Sequence, residues 1–142
     1  MPEYIPTPVK WVRDQIELYE GSGGTQGTEL GGRPVIIVTH RGNKSGAIRK
    51  TALMRVEDAG SYVLVGSMGG APKNPVWVYN LRAHADVEIR DKTEVHRMRV
   101  REVEDADERE RVWALAVDAF PPYEEYKNKT TRTIPVFIAE PS

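Results

Sequence analysis

The chain has 142 residues, 39% of them hydrophobic and 29% charged, with 20 Lys and Arg against 21 Asp and Glu. That length fits one domain and hides roughly 70% of the unfolded surface, so folding needs no covalent staple. The lack of cysteine excludes disulfides, thiolate metal centres and cysteine nucleophiles, the balanced charge argues against a nucleic-acid partner, and no apolar run approaches the ~20 residues of a spanning helix.

The start, MPEYIPTPVKW, has no basic leader followed by an apolar run, which predicts a cytoplasmic protein with at most peripheral membrane contact. Residues 1–8 carry three prolines and are expected to lie loose. Val9, Val12, Ile16 and Tyr19 recur at helical spacing, and Gly21, Gly23 and Gly24 stop that helix. A glycine-rich connector without apolar pattern follows to Gly32 and is expected to be mobile or to lie over a ligand. Residues 1–32 are therefore an N-terminal helix and connector, and 33–142 the main domain. Pro34 to Thr39 is a continuous branched run, as in a strand buried on both faces. Lys50 to Val56 reads as its hairpin partner, Ser61 to Gly66 as a third strand.

Asn74 and Pro75 open a short helix to about Ala83, with Asn74 as N-cap and Pro75 at the first helical position. Val87 to Arg90 and Glu94 to Glu102 form a further hairpin, turned at Asp91-Lys92. Asp105-x-x-Glu108 is a capping box that opens a helix with Val112, Trp113, Ala116, Val117 and Phe120 on one face. Pro121-Pro122 ends it, and Ile134 to Ala139 is a last strand. The expected fold is mainly β with peripheral helices: an antiparallel barrel of about six strands and three helices.

Three segments have the chemistry of a site. The first, Arg41 to Arg49, joins turn-forming glycines to Lys44, Ser45 and Arg49, a set that can grip a phosphate or carboxylate. The competing reading is a solvated hairpin tip, since loop tips are commonly charged. The second, Gly66 to Trp77, leaves a strand, crosses Gly69-Gly70 and enters a helix N-terminus beside Lys73, which suits an anion with a flat ring against the glycines. An ordinary capped β-to-α connection explains all but the glycine pair. The third, Tyr123 to Tyr126 beside Phe120, can line an apolar mouth or pack a helix end. Trp11, Trp77 and Trp113 read as core. His40, His84 and His96 lack metal-ligand spacing, no nucleophile elbow occurs, and adjacent Glu124 and Glu125 make a poor acid–base pair. No protein acid–base constellation stands out, so the chemistry falls to a bound cofactor.

In this order, THRGNKSGAIRKTAL (39–53), GSMGGAPKNPVWVYNLRAHADVEI (66–89) and PPYEEY with TRTIPVFIAEP (121–126, 131–141) resemble the deazaflavin-dependent nitroreductase family. The resemblance runs from about Arg33 to Pro141. It implies a split β-barrel that binds coenzyme F420, a deazaflavin bearing a phosphate and an acidic oligoglutamate tail. On that likeness Asn43, Lys44, Ser45 and Arg49 would hold the phosphate. Lys50, Thr51, Ala52, Leu53 and Met54 would pass alongside the cofactor. Val65, Gly66, Ser67 and Met68 would border the ring, and Val76, Trp77, Val78, Tyr79 and Asn80 would close another side. Tyr123 would touch cofactor and substrate, and Phe120 and Tyr126 the substrate. The chain departs from the family at Met68, where some relatives carry lysine. It departs again at Phe120, where the best-known nitroreductases carry tyrosine, which argues against activity on bicyclic nitroimidazoles.

The likeness implies an F420H2-dependent reductase passing a hydride to a quinone, an unsaturated lactone or ester, or a nitroaromatic, with Ser67, Tyr126 or water as proton donor and no metal. The alternatives are an FMN-binding split-barrel reductase or oxidase and a non-catalytic cofactor-binding protein. A homodimer is compatible with each.

Overall fold

The computed structural model describes residues 3–142; Met1 and Pro2, the start of the predicted loose leader, lie outside them. The rest of that leader is pinned rather than loose. Ile5 N–H donates to the Ile48 carbonyl (2.9 Å), and Ile48 N–H to that of Glu3 (2.7 Å).

The order is α1 (Lys10–Gly21), β1 (Glu29–Leu30), β2 (Arg33–Arg41), β3 (Ile48–Met54), β4 (Glu57–Asp58), β5 (Ser61–Val65), α2 (Val76–Ala83), β6 (Asp86–Asp91), β7 (Glu94–Glu102), α3 (Ala106–Ala119), α4 (Pro122–Lys129) and β8 (Val136–Pro141), with a single 3-10 turn at Met68–Gly70. Among the described residues that makes eight strands and four helices. The two strands missed from sequence are two residues long, too short to show a period. The missed helix is α4. Pro122 sits in its first turn, where no N–H is required. Glu124 and Glu125 lie at its positive end, and Lys127 and Lys129 at its negative end. The proline pair that stops α3 therefore starts α4.

All strand pairs are antiparallel, in the order β1-β2-β6-β7-β8-β5-β4, with β3 on the other side of β2. Alternation explains the branched runs. Ile36 and Val38 of β2, Tyr62 and Leu64 of β5, and Phe137 and Ala139 of β8 share the barrel interior with Trp77, Val78 and Leu81 of α2. Their neighbours point outward: Val35 and Ile37 under Ile16 and Tyr19 of α1, and Val63, Val65, Val136 and Ile138 under Val112 and Ala116 of α3. Each such strand is covered on both faces, which removes the polar alternation of a half-exposed strand.

The barrel is split between β3 and β5. One corner of the split is tied: Asp91 accepts from Arg55 Nε (2.8 Å), just past β3, and from Tyr62 hydroxyl (2.7 Å) on β5. The two strands are not paired to each other, and every residue of β3 remains half-buried. The turn of the β6–β7 hairpin is Lys92-Thr93, because Asp91 is still paired to Glu94. Lys92, not Asp91, takes the left-handed conformation (φ 56°).

The capping box forms by half. Asp105 accepts from Glu108 N–H (2.8 Å), but the Glu108 carboxylate turns to Arg101 (2.7 and 2.8 Å). Of the predicted α3 face, Val112 and Ala116 are buried, and Phe120 lies just past the helix end. Among the described residues no helix is long and apolar enough to cross a membrane.

The α1 end locks onto the β6–β7 turn. The Tyr19 hydroxyl donates to the Val35 carbonyl (3.0 Å) and accepts from Lys92 N–H (2.6 Å). Gly24 (φ +87°) presses so close that a Cβ would lie 1.8 Å from the Lys92 carbonyl oxygen. Gly24→Ala is expected to cost about 3 kcal/mol through strain and overpacking, read as a lower denaturant midpoint. An unchanged midpoint would show that α1 does not dock this way.

Candidate functional site

The β2–β3 hairpin loop is built around its glycines. Gly42 N–H donates to Ala47 (2.8 Å), Gly46 N–H to Gly42 (3.0 Å), and Ala47 N–H to Ser45 Oγ (3.1 Å). Gly46 takes φ +70°, open only to residues without a side-chain penalty there. Asn43, Lys44 and Ser45 are exposed. With Gly42, Arg49, Val76, Tyr79 and Asn80 they line a cavity of about 500 Å3 that carries the Lys44 and Arg49 cations.

Asn80 is buried beneath this loop and shapes it. The Asn43 backbone N–H donates to Asn80 Oδ1 (2.9 Å). The Asn80 amide Nδ2 then faces His40 Nδ1 (3.2 Å). Burial first, and Arg49 second, lower the His40 pKa to about 4, so the imidazole is neutral near pH 7. Among the described residues, His40 Nε2 is a buried side-chain atom with no partner. A buried unpaired donor costs about 1–3 kcal/mol.

The second wall is the turn from β5 into α2. Met68 holds a left-handed conformation (φ 47°) while more than half exposed, a strain on the order of 1–3 kcal/mol kept at a cavity edge. Gly69 faces open space, whereas Gly70 backs against α4, where a Cβ would meet Lys129 and Tyr126 at 3.0 Å. The two glycines therefore serve different ends, and only the first is free for a ring.

Arg132, which the sequence reading did not single out, fastens the turn. Its guanidinium donates to the Ser67 carbonyl (2.7 Å), the Ala71 carbonyl (2.9 Å) and Asn74 Oδ1 (2.8 Å). Asn74 is engaged there and is not the N-cap. α2 begins after Pro75, with no side-chain cap. The only sequence signal was a lone cation in TRTIPVFIAEP, 58 residues from its partner Asn74.

Between these walls, at the split of the barrel, lies a cavity of about 590 Å3, more apolar than the first. β3 supplies Thr51, Ala52, Leu53 and Met54; the β5 end and its turn supply Val65, Ser67, Met68 and Gly69; α2 supplies Val76 and Trp77. Phe120, Tyr123 and Tyr126 close the far end as a cluster, with ring centroids 4.9 to 6.3 Å apart. Burial first, and Tyr126 second, push the Tyr123 phenol well above its usual range. Val76, highly exposed, belongs to both cavities and joins them into one groove.

Several residues expected at the site lie elsewhere. Lys50 turns to α1, paired with Glu20 (2.5 Å) and over the Tyr4 ring. Val78 is fully buried in the barrel, against the spot where a Cβ on buried Gly66 would stand. Neither lines either cavity. Of the tryptophans read as core, Trp77 packs on Phe137 and also lines the cavity, and Trp11 of α1 is 59% exposed along its rim. α1 and Leu30 of β1 thus form a wall that the segment pattern did not reveal.

Residues 11–141 match the family described as F420H(2)-dependent quinone reductase. An F420H(2)-dependent quinone reductase of Mycobacterium tuberculosis (strain H37Rv) is 31% identical over 133 residues, 92% of this chain and 89% of the relative. A solved F420-H2 dependent reductase is 49% identical, with TM-score 0.71, and covers 76% of this chain and 95% of its own. A structure described as a domain-swapped dimer is 46% identical, with TM-score 0.74, and covers 94% of this chain and 100% of its own.

Proposed function

The chain belongs to the F420H(2)-dependent quinone reductase family, is an F420H2-dependent oxidoreductase, and from that premise we propose that it reduces a quinone held in the aromatic end of the split-barrel groove. The observation that carries this reading is the groove itself: a cationic loop at one end, an apolar aromatic-walled cavity at the other, and Val76 common to both. The residues present fit the cofactor. Lys44, Ser45, Arg49 and loop N–H groups would hold its phosphate and acidic tail. Ala52 to Met54, Val65, Ser67, Met68, Val76 and Trp77 would wall its flat ring.

When bound, reduced F420 supplies a hydride from carbon 5 of the deazaflavin. The chain's own residues do the rest. β3 and the strained Met68 turn fix the plane against which an acceptor lies. Phe120 and Tyr123 exclude water from that face. Holding two flat rings in contact can account for roughly 7–11 kcal/mol of a barrier. A quinone also needs a proton, and Tyr126 Oη, at the mouth, is the proposed donor, with Ser67 Oγ as second choice. Tyr123 is too buried to lose its proton near pH 7. A pairing with a second copy of the chain is also proposed, by analogy with the domain-swapped relative.

The test is a fluorescence titration with F420 and FMN, followed by absorbance-monitored oxidation of F420H2 by a quinone panel. Micromolar F420 affinity and quinone turnover are expected, and micromolar FMN binding without F420 binding defeats the reading. Tyr126→Phe is expected to lower kcat at least tenfold, with F420 affinity within twofold. An unchanged kcat moves the proton donor to Ser67 or water.

A further inference from the structure

The Asn43 backbone N–H can only donate, so the Asn80 atom facing it must be the oxygen. The Asn80 amide nitrogen therefore points at His40, and the nitrogen it meets, Nδ1, must accept. A neutral imidazole that accepts at Nδ1 carries its proton on Nε2, the buried atom left without a partner. The direction of every bond in this chain is thus fixed from its backbone end.

We propose that His40 is a positioning residue for cofactor binding: by accepting from the Asn80 amide nitrogen it anchors the side chain whose oxygen holds the Asn43 N–H, and so presets the 42–46 loop for the phosphate of F420. The proposal rests on the F420 reading of this groove. Three observations support it. His40 stands two residues before the loop and is the cross-strand partner of Arg49, which with Asn80 lines the loop cavity that His40 itself does not enter. His40 is only 5% exposed on the interior side of β2, where Ile36 and Val38 are apolar, so packing alone would favour a hydrophobic residue. The neutral state set by burial and Arg49 is the one that can accept. Without His40 the buried Asn80 amide nitrogen loses its acceptor. A side-chain rotation that brings this nitrogen a new partner would draw Oδ1 away from the Asn43 N–H and release the loop. A preset loop binds its anion without first being ordered, which is where the affinity would come from.

The experiment titrates F420 and its phosphate-free deazaflavin fragment against the full chain, wild-type and variant. His40→Leu is expected to raise the F420 dissociation constant about tenfold and the fragment's less than twofold. kcat at saturating F420H2 should fall less than twofold. His40→Asn, whose amide oxygen can stand near the Nδ1 position, should stay within threefold of wild type for F420. His40→Gln, whose oxygen reaches the Nε2 position instead, should behave like His40→Leu and serves if the leucine variant does not fold. Equal losses for F420 and fragment, an unchanged F420 constant in His40→Leu and His40→Gln, or an equally weak His40→Asn overturns the positioning role. Wild-type protein that binds the fragment but not F420, or neither, overturns the F420 reading of the groove and the inference with it.

Discussion

Removing the charge at Arg49 (Arg49→Met) or Lys44 (Lys44→Ala) is expected to weaken F420 binding by roughly 10–100-fold each. A charge-assisted hydrogen bond contributes about 1.5–3 kcal/mol, and tenfold corresponds to about 1.4 kcal/mol. Both residues line the loop cavity, Lys44 exposed at the tip and Arg49 half-buried at its base. Arg49 should have the larger effect, because its charge is less screened and its side chain starts from a paired strand, whereas Lys44 is a mobile point charge. The loss should shrink as salt is raised and should be small for the phosphate-free fragment. kcat at saturating cofactor should change little, since neither side chain lines the ring cavity. The measurement is fluorescence titration at two salt concentrations. Equal weakening of F420 and fragment would mean that the cationic loop does not hold the phosphate.

What was legible in the sequence were features with a strong local signature. The branched run at 34–39 gave a strand buried on both faces, because burial removes alternation and leaves a continuous apolar string, and 61–66 gave a further strand. The glycine hairpin and its cations were visible for a related reason: Gly42 and Gly46 are needed for the turn, and the charges sit where a turn leaves them exposed. Illegible were contacts joining distant stretches. Nothing local links Arg132 to Ser67, or His40 to Asn80, yet these pairs set the shape of the two walls. The resemblance set Lys50 alongside the cofactor with Thr51 to Met54. Its ion pair with Glu20 of α1 holds it out of both cavities. The helical spacing of α1 did not show that it borders the site, yet Ile16 and Tyr19 are fully buried and Trp11 stands on the cavity rim.

The split in the barrel is what makes a site of these parts. A closed barrel would pair β3 with β5 and fill the space between them with side chains. Here Asp91 ties only one corner, through Arg55 and Tyr62, so the edges stay joined while the remainder opens into the cavity. The cost of leaving β3 paired on one side is met by covering it with α1, the Met68 turn and the aromatic end of α3–α4. A cofactor ring placed there would cover the one strand of the main sheet that is half-buried along its whole length.

That arrangement makes Arg132 the residue whose loss should be felt furthest from its own position. Arg132→Met is expected to lower stability by about 3 kcal/mol, since three hydrogen bonds to the 67–74 turn go together. It should also lower kcat/KM for quinone reduction on the order of 100-fold, because a displacement of about 1 Å in a positioning wall can cost that much. The reason lies in Met68. Its left-handed backbone is unfavourable on its own, and the guanidinium holds the carbonyls on either side of it, those of Ser67 and Ala71. Without that clamp Met68 relaxes, and the wall it forms with Gly69 moves. Arg132→Lys should recover little, because one ammonium cannot span three acceptors arranged for a planar fork. Denaturant unfolding and steady-state kinetics on the same preparations separate the two effects. A variant that loses stability yet turns over quinone at the wild-type kcat/KM would leave Arg132 a purely structural residue and the Met68 turn a bystander to the chemistry.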